Sequence, residues 1–142
     1  MRFDLGLIYE LCCETGLAAR AVDGKEVTID LGEGAILTFE NAKEGVDECL
    51  AGFRDTPSHV HGNFEFLNER GNYVELDYLE LVSGLSDGRI LICERHMNGR
   101  LADRWLIHRD HNDEFKHMEL SESIVVRRAV TKAAENDSAR GD

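Results

Sequence analysis

Two histidines in the stretch TPSHVHGNFEF have the type and spacing of metal ligands. His59 and His61 are separated by one residue and come just before a pattern typical of a β-strand. Side chains two residues apart on a strand point the same way, so both imidazoles could reach one metal ion, and Glu65 could add a carboxylate. We expect the simpler arrangement, a polar loop leading into a strand. The alternative hypothesis is a site for a divalent transition metal.

A second polar cluster, IHRDHNDEF, contributes two further candidate ligands, His108 and His111. Its residue order matches neither a calcium-binding loop nor the helical motif of zinc proteases. Turns that end strands collect Asp, Asn and His because these residues tolerate unusual backbone angles and bond the local backbone. The cluster therefore predicts a loop after a strand.

The first histidine pair resembles the opening motif of the cupin family, which has a glycine, His-x-His, a glutamate four residues later and a glycine. The matching residues here are Gly52, His59, His61, Glu65 and Gly71. Both glycine spacings differ by one residue from the family pattern. The family also has a second motif with another histidine, and in this chain only His108 with Asn112 corresponds to part of it. The resemblance implies a metal site in a many-stranded barrel, whereas the first third of this chain has mainly helical patterns.

The strongest turn signal in the sequence is Asn98-Gly99, which predicts a β-hairpin with a two-residue type I′ turn. The flanking segments RILICERHM and RLADRWLIHR would then form the two strands, with Met97 opposite Arg100. This register predicts a large apolar patch around Trp105 on one face of the hairpin.

The same register predicts a pair of facing carboxylates, Glu94 opposite Asp103, with His96 close by. Like charges at directly opposed positions are unfavourable, so solvent, an arginine, a shared proton or a cation must offset them. Paired carboxylates beside a histidine could perform acid/base chemistry if they were partly buried. We expect instead that this end of the hairpin is solvated, or that Arg104 or Arg95 turns towards the carboxylates.

The composition is strongly acidic, with 16 Lys and Arg against 28 Asp and Glu and a net charge of −12. Residues 1–50 hold 4 basic and 11 acidic side chains, a net of −7, while residues 100–142 hold 8 and 9, a net of −1. An acidic surface repels phosphate backbones, which argues against nucleic-acid binding, and it attracts a basic protein partner. Acidity can also serve solubility alone.

Other common active-site motifs are absent from the sequence. Without GxSxG, GxGxxG or P-loop patterns, we expect neither nucleophilic catalysis nor a nucleotide cofactor. The four cysteines form no CxxC and are expected to be reduced and mostly buried. No apolar run approaches the ~20 residues that span a bilayer, so we expect no membrane association. The opening MRFDLGLIYELCC carries acidic residues where an export signal would be apolar, so a cytoplasmic protein is expected.

Apolar periodicity predicts an α+β fold, a mainly antiparallel sheet packed with an N-terminal helix and a second short helix. The first helix is predicted over residues 3 to 15 and ends at Gly16. Two strands, EVTIDL and AILTFE, follow the turn at Asp23-Gly24. The second helix is predicted over residues 42 to 53.

From residue 63 onward, alternating apolar residues predict an antiparallel meander. Its strands are NFEFLN, NYVELDYLELVS, RILICERHM, RLADRWLIHR and SIVVRRAV. The second of these changes phase, which we interpret as a bulge near Tyr78. Residues 1–130 are thus expected to form a single domain, and residues 131–142 a disordered tail.

Residues 3 to 40 resemble the opening of type III secretion chaperones, which are small acidic cytosolic proteins. The resemblance lies in the amphipathic helix, the Gly16-Leu17 step, the Asp23-Gly24 turn and the alternating strands. That family continues with a dimer-forming helix and a C-terminal helix, where this chain has strand patterns and a polar tail. The resemblance implies a binding protein.

The sequence therefore favours a non-enzymatic protein-binding module, similar to an immunity protein or a chaperone, for a basic partner and without a cofactor. The alternative is a metal-binding protein or metal-dependent enzyme that uses His59 and His61. A third hypothesis is a homo-oligomer formed through a sheet edge or the Trp105 face. Tight binding also needs an apolar or aromatic anchor, and the sequence does not identify one.

Overall fold

The computed structural model describes residues 2–42, 49–56, 59–67, 70, 72–110 and 122–132. Within these residues the chain has an α+β fold, with two helices and ten strands. In chain order they are α1 (Leu5–Thr15), β1 (Ala18–Val22), β2 (Glu26–Asp30), β3 (Ile36–Asn41), β4 (Cys49–Phe53), β5 (His59–Val60), β6 (Phe64–Leu67), β7 (Tyr73–Leu76), α2 (Tyr78–Asp87), β8 (Ile90–Met97), β9 (Arg100–His108) and β10 (Glu122–Arg127).

The strands form three antiparallel sheets. The first has the order β1-β2-β3-β4-β5, the second is the pair β6-β7, and the third has the order β10-β8-β9. Both helices pack against each other, α1 also contacts β1 and β2, and α2 contacts β7 and β8. A single cluster of buried apolar residues includes members from both helices and from all three sheets.

Helix α1 confirms the predicted N-terminal helix and its glycine stop. The Asp4 side chain caps the first turn by accepting a hydrogen bond from the Leu7 N–H at 3.1 Å. Gly16 ends the helix in the left-handed conformation, with φ of 82°. Ile8 and Cys12, one turn apart, are fully buried. The helix thus follows from local sequence signals and one apolar stripe.

The prediction of a second helix over residues 42 to 53 is wrong at its C-terminal end. Residues Cys49–Phe53 form β4, which pairs with β3, while residues 43–48 lie outside the described part of the chain. Burial in β4 alternates, with Cys49, Ala51 and Phe53 facing the core. Apolar residues three or four apart in such a short segment fit a helix and a strand equally well, and pairing with β3 decides for the strand.

The second helix lies instead where we predicted a long bulged strand. Strand β7 ends at Leu76, and the phase change near Tyr78 marks the start of α2, not a bulge. A capping box begins this helix: the Asp77 carboxylate accepts from the Glu80 N–H at 2.8 Å, and the Glu80 carboxylate accepts from the Asp77 N–H at 3.2 Å. Gly88, with φ of 85°, ends it.

The hairpin of β8 and β9 confirms the predicted turn. Asn98 and Gly99 have φ angles of 55° and 77°, as a type I′ turn requires. Strand β10 then pairs with β8, not with β9, so the strands after residue 63 do not form one continuous meander.

The domain limit that we predicted stays a prediction, as does the tail. Of residues 131–142 only the first two are described, and the Lys132 N–H donates to the Gly16 carbonyl at 2.8 Å. Among the helices that the structure describes, none is both long and apolar enough to cross a membrane.

Candidate functional site

The histidine pair lies at an edge of the five-stranded sheet. His59 belongs to β5, opposite Gly52 of β4, and its ring stands 4.8 Å from that of His61, at right angles to it. Both side chains are exposed. Nδ1 of His61 is 3.0 Å from the Cys49 carbonyl oxygen, which can only accept, so this nitrogen carries a proton. Only Nε2 of His61 is then available to a metal.

Neither Glu65 nor His108 forms a group of metal ligands with this pair. Glu65 is exposed on β6, where it faces Glu75 of β7. His108 is buried at the end of β9, and its Nδ1 accepts from the Asp110 N–H at 3.0 Å. His111 lies outside the described residues.

Within the part of the chain that the structure describes, no group of three or more His, Cys, Asp or Glu side chains is arranged to hold a metal ion. Metal binding by the histidines therefore stays a prediction.

The carboxylate pair predicted at Glu94 and Asp103 is not formed, because the hairpin register shifts by one residue. His96 faces Leu101 as predicted, but β9 has one additional residue before Asp103, which therefore faces Arg95. This bulge places Arg104 opposite Glu94. An arginine on the neighbouring strand thus offsets the charge of Glu94, which was one of the arrangements we considered.

Glu94 is buried, not solvated, and two arginines bind its carboxylate. Arg104 donates from Nε to one oxygen at 2.8 Å, and Arg127 of β10 donates from Nε to the other at 3.0 Å. Burial alone raises the pKa of Glu94, but the hydrogen bonds from Arg104 and then from Arg127 outweigh it, so the pKa lies below its ordinary value. A carboxylate held ionised in this way is unsuited to act as a general acid.

The same arginines join the third sheet, β10-β8-β9, to the five-stranded sheet. Arg104 donates from Nη1 to the Asp55 carboxylate at 2.6 Å, and Arg127 donates from Nη2 to the Gly32 carbonyl at 2.7 Å. Gly32 belongs to the loop between β2 and β3. We infer that this network, buried except at Asp55, fixes the relative position of the two sheets and has a structural role.

A groove of about 410 Å³ lies between the two helices. Its lining residues are Leu7, Glu10, Leu11, Glu14, Leu79, Glu80, Ser83 and Arg89. The lining therefore includes three leucines, which give apolar surface, and three glutamates, which come from both helices. Leu7 is 41% exposed, so the groove presents apolar surface to solvent; Tyr9, 39% exposed, lies two residues further on, on another side of α1, and does not line the groove.

The helix pair, defined as α1 and α2 with their capping residues Asp4 and Asp77, has an unbalanced charge. Neither helix contains a Lys, Arg or His. The acidic residues of the pair are Asp4, Glu10, Glu14, Asp77, Glu80 and Asp87. Arg89, at the rim of the groove, donates from Nε to Asp87 at 2.8 Å. The lining of the groove thus combines three leucines with three glutamates, and its arginine is paired with an aspartate of the helix pair.

Sequence reasoning missed this surface because it interpreted the α2 segment as a strand. One signal was present: Asp77-x-x-Glu80 before an apolar run is the pattern of a capping box. With α2 recognised, Leu79 and Glu80 would have joined Leu7 and Glu10 as candidates for one surface.

No protein-family model matches this chain, and no curated protein or solved structure is significantly similar to it. These comparisons therefore do not show that the chain belongs to either of the two families that its sequence resembles.

Proposed function

We propose that this protein is a non-enzymatic binding module for a basic protein partner, which it contacts through the helix pair. The observation that carries the proposal is the groove lined by three leucines and three glutamates, in a helix pair with six acidic residues; Arg89, which also lines the groove, is paired with Asp87. An immunity protein against a basic toxin, or a chaperone for a basic segment, would use such a surface.

Charge and apolar surface have different parts in this proposal. A negative surface raises the rate at which a basic partner arrives, and this effect weakens as salt screens it. Affinity requires burial of apolar or aromatic anchors. Leu7, exposed beside the glutamates, together with Leu11 and Leu79 supplies the apolar anchor that the sequence alone did not identify.

Two further observations support the proposal: the cysteines agree with a reducing, cytoplasmic compartment, and Glu94 agrees with a protein that is not an acid/base enzyme. All four cysteines are thiols, and three of them are buried. Glu94, the carboxylate that we considered for acid/base chemistry, is already bound by Arg104 and Arg127.

The first test is native mass spectrometry of untagged protein isolated from the cells that make it. We expect a complex with a polypeptide whose sequence is basic. Recovery of only the bare chain, or of a chain carrying a stoichiometric metal ion, would contradict the proposal.

The second test measures association with that partner by stopped-flow fluorescence. The variant E10Q/E14Q removes two charges from the helix pair, and the control E26Q/E65Q removes two charges elsewhere. We expect the first variant to associate several-fold more slowly at low salt and the control to change little, with the difference shrinking at high salt. Equal association rates for the two variants would contradict steering by the helix pair.

A further inference from the structure

We infer that the groove between α1 and α2 binds a basic amphipathic helix, whose apolar stripe packs against Leu7, Leu11 and Leu79. This inference rests on the proposed function, because it specifies the shape and chemistry of the segment that the partner presents. Arginines or lysines on either side of that stripe would face Glu10, Glu14 and Glu80.

The walls of the groove favour a helix over an extended segment. Main-chain groups in the interior of α1 and α2 are hydrogen-bonded within each helix and offer no ladder to a strand. An extended peptide would therefore lose hydrogen bonds to water without replacing them. A helix satisfies its own backbone and needs only side-chain contacts, as in other helix-in-groove complexes.

The dimensions of the groove agree with a short helix. Helix α1 has 11 residues and is therefore about 16 Å long. A partner helix of about three turns would match this length and place two or three apolar side chains on the leucines. Glu10 and Glu14, one turn apart on α1, could each meet a basic residue on successive turns of the partner.

The charge of this chain argues against one of its own segments, or a second copy of it, as the segment that binds in the groove. The three longest segments outside the described residues are acidic on balance: 43–48 has one basic and three acidic residues, 111–121 has one and three, and 133–142 has one and three, a net of −2 for each. A second copy carries the same net charge of −12 and the same acidic groove. The occupant that complements the groove is a basic segment of another protein.

The test uses three synthetic peptides of about 18 residues, a length at which a helix can form. The first has leucines at helical spacing with lysines beside them. The second has the same composition with leucine and lysine alternating, which favours a strand. The third keeps the leucine spacing of the first and replaces every lysine with glutamate. Fluorescence anisotropy measures their binding to the full chain at physiological salt.

We expect the first peptide to bind at least about tenfold more tightly than either of the others. The variant Leu7→Ser should weaken its binding about tenfold, because the anchor is lost. The matched control Leu101→Ser changes another exposed leucine, far along the chain on β9, and should leave binding unchanged. Leu7 is already exposed, so the fold should tolerate its substitution, which circular dichroism checks.

Each other outcome overturns the inference in a recognisable way. Equal binding of the helical and alternating peptides would show that charge alone attracts them. Equal losses in Leu7→Ser and Leu101→Ser would place the contact elsewhere. If the native partner binds with the expected salt dependence while the helical peptide does not bind, the inference is wrong and the proposed function stands. If the partner fails its own association test, the proposed function fails as well.

Discussion

Arg104 lies directly opposite Glu94 across the β8–β9 hairpin and donates a hydrogen bond to its carboxylate at 2.8 Å. Both residues are buried, at 3% and 6% exposure. The pair exists because a one-residue bulge before Asp103 changes the register set by the turn. A predicted pair of carboxylates is thereby replaced by an ion pair.

Removal of Glu94 should destabilise the protein strongly. In Glu94→Ala the guanidinium groups of Arg104 and Arg127 lose their shared carboxylate, but Arg104 keeps Asp55. We therefore expect a loss near the lower end of the roughly 3–5 kcal/mol that breaking a buried ion pair costs. The free energy of unfolding, from urea denaturation, measures the loss. Glu65→Ala, at an exposed position, is the control and should change little. A loss in Glu94→Ala no larger than in the control would show that the network is not stabilising.

The same ion pair predicts a dependence of stability on pH. The folded-state pKa of Glu94 is lowered, so its contribution is complete above the ordinary glutamate value of 4.5 and is lost as the pH falls through the folded value. The difference in unfolding free energy between wild type and Glu94→Gln should therefore be constant near neutral pH and shrink below about 4.5. A difference that grows on acidification would mean that the pKa is raised in the folded protein.

Gly32 should tolerate no side chain, for a reason of space as well as of conformation. A Cβ at this position would lie 2.5 Å from Cγ2 of Val130, and φ is 96°. The control is Gly24, which also has a positive φ, 66°, but nothing within 4 Å of an added Cβ. We expect Gly24→Ala to cost about 1 kcal/mol of unfolding free energy and Gly32→Ala roughly 1–3 kcal/mol more.

Thermal or urea unfolding of the two alanine variants checks this comparison. Equal losses would show that backbone conformation alone decides both positions, and that the packing of Val130 on the β2–β3 loop adds nothing.

The histidine pair should not hold a stoichiometric metal ion. His61 uses Nδ1 to bind the Cys49 carbonyl, and the described residues offer no group of three ligands. Two imidazoles on an exposed edge bind transition metals only weakly compared with a four-ligand site. Elemental analysis of untagged protein should find less than one metal ion per chain. One ion per chain that is lost in the variant H59A/H61A would restore the alternative hypothesis.

Where sequence reasoning succeeded, the signals were local. Asp4 and Gly16 delimit α1 through contacts within a few residues, and Asn98-Gly99 makes its turn through its own backbone preferences. Where it failed, the deciding contacts were distant. Cys49–Phe53 is a strand because β3 lies beside it, although the spacing of its apolar residues also fits a helix.

The histidines show the same division. The rings of His59 and His61 lie 4.8 Å apart, whereas metal binding by the pair stays a prediction. Nothing local, however, indicates that His61 bonds Cys49 or that His108 lies against Phe66, since these contacts join different strands.

The sequence by itself determined the α+β class, the strong negative charge, the first helix and the hairpin turn. These properties depend on composition and on interactions between near neighbours. Only the tertiary structure decided the register beyond the bulge, the Glu94–Arg104 pair and the groove between α1 and α2. Each of these depends on which distant segments pack together, and packing is selected by burial over the whole fold, so no single stretch of the chain specifies it.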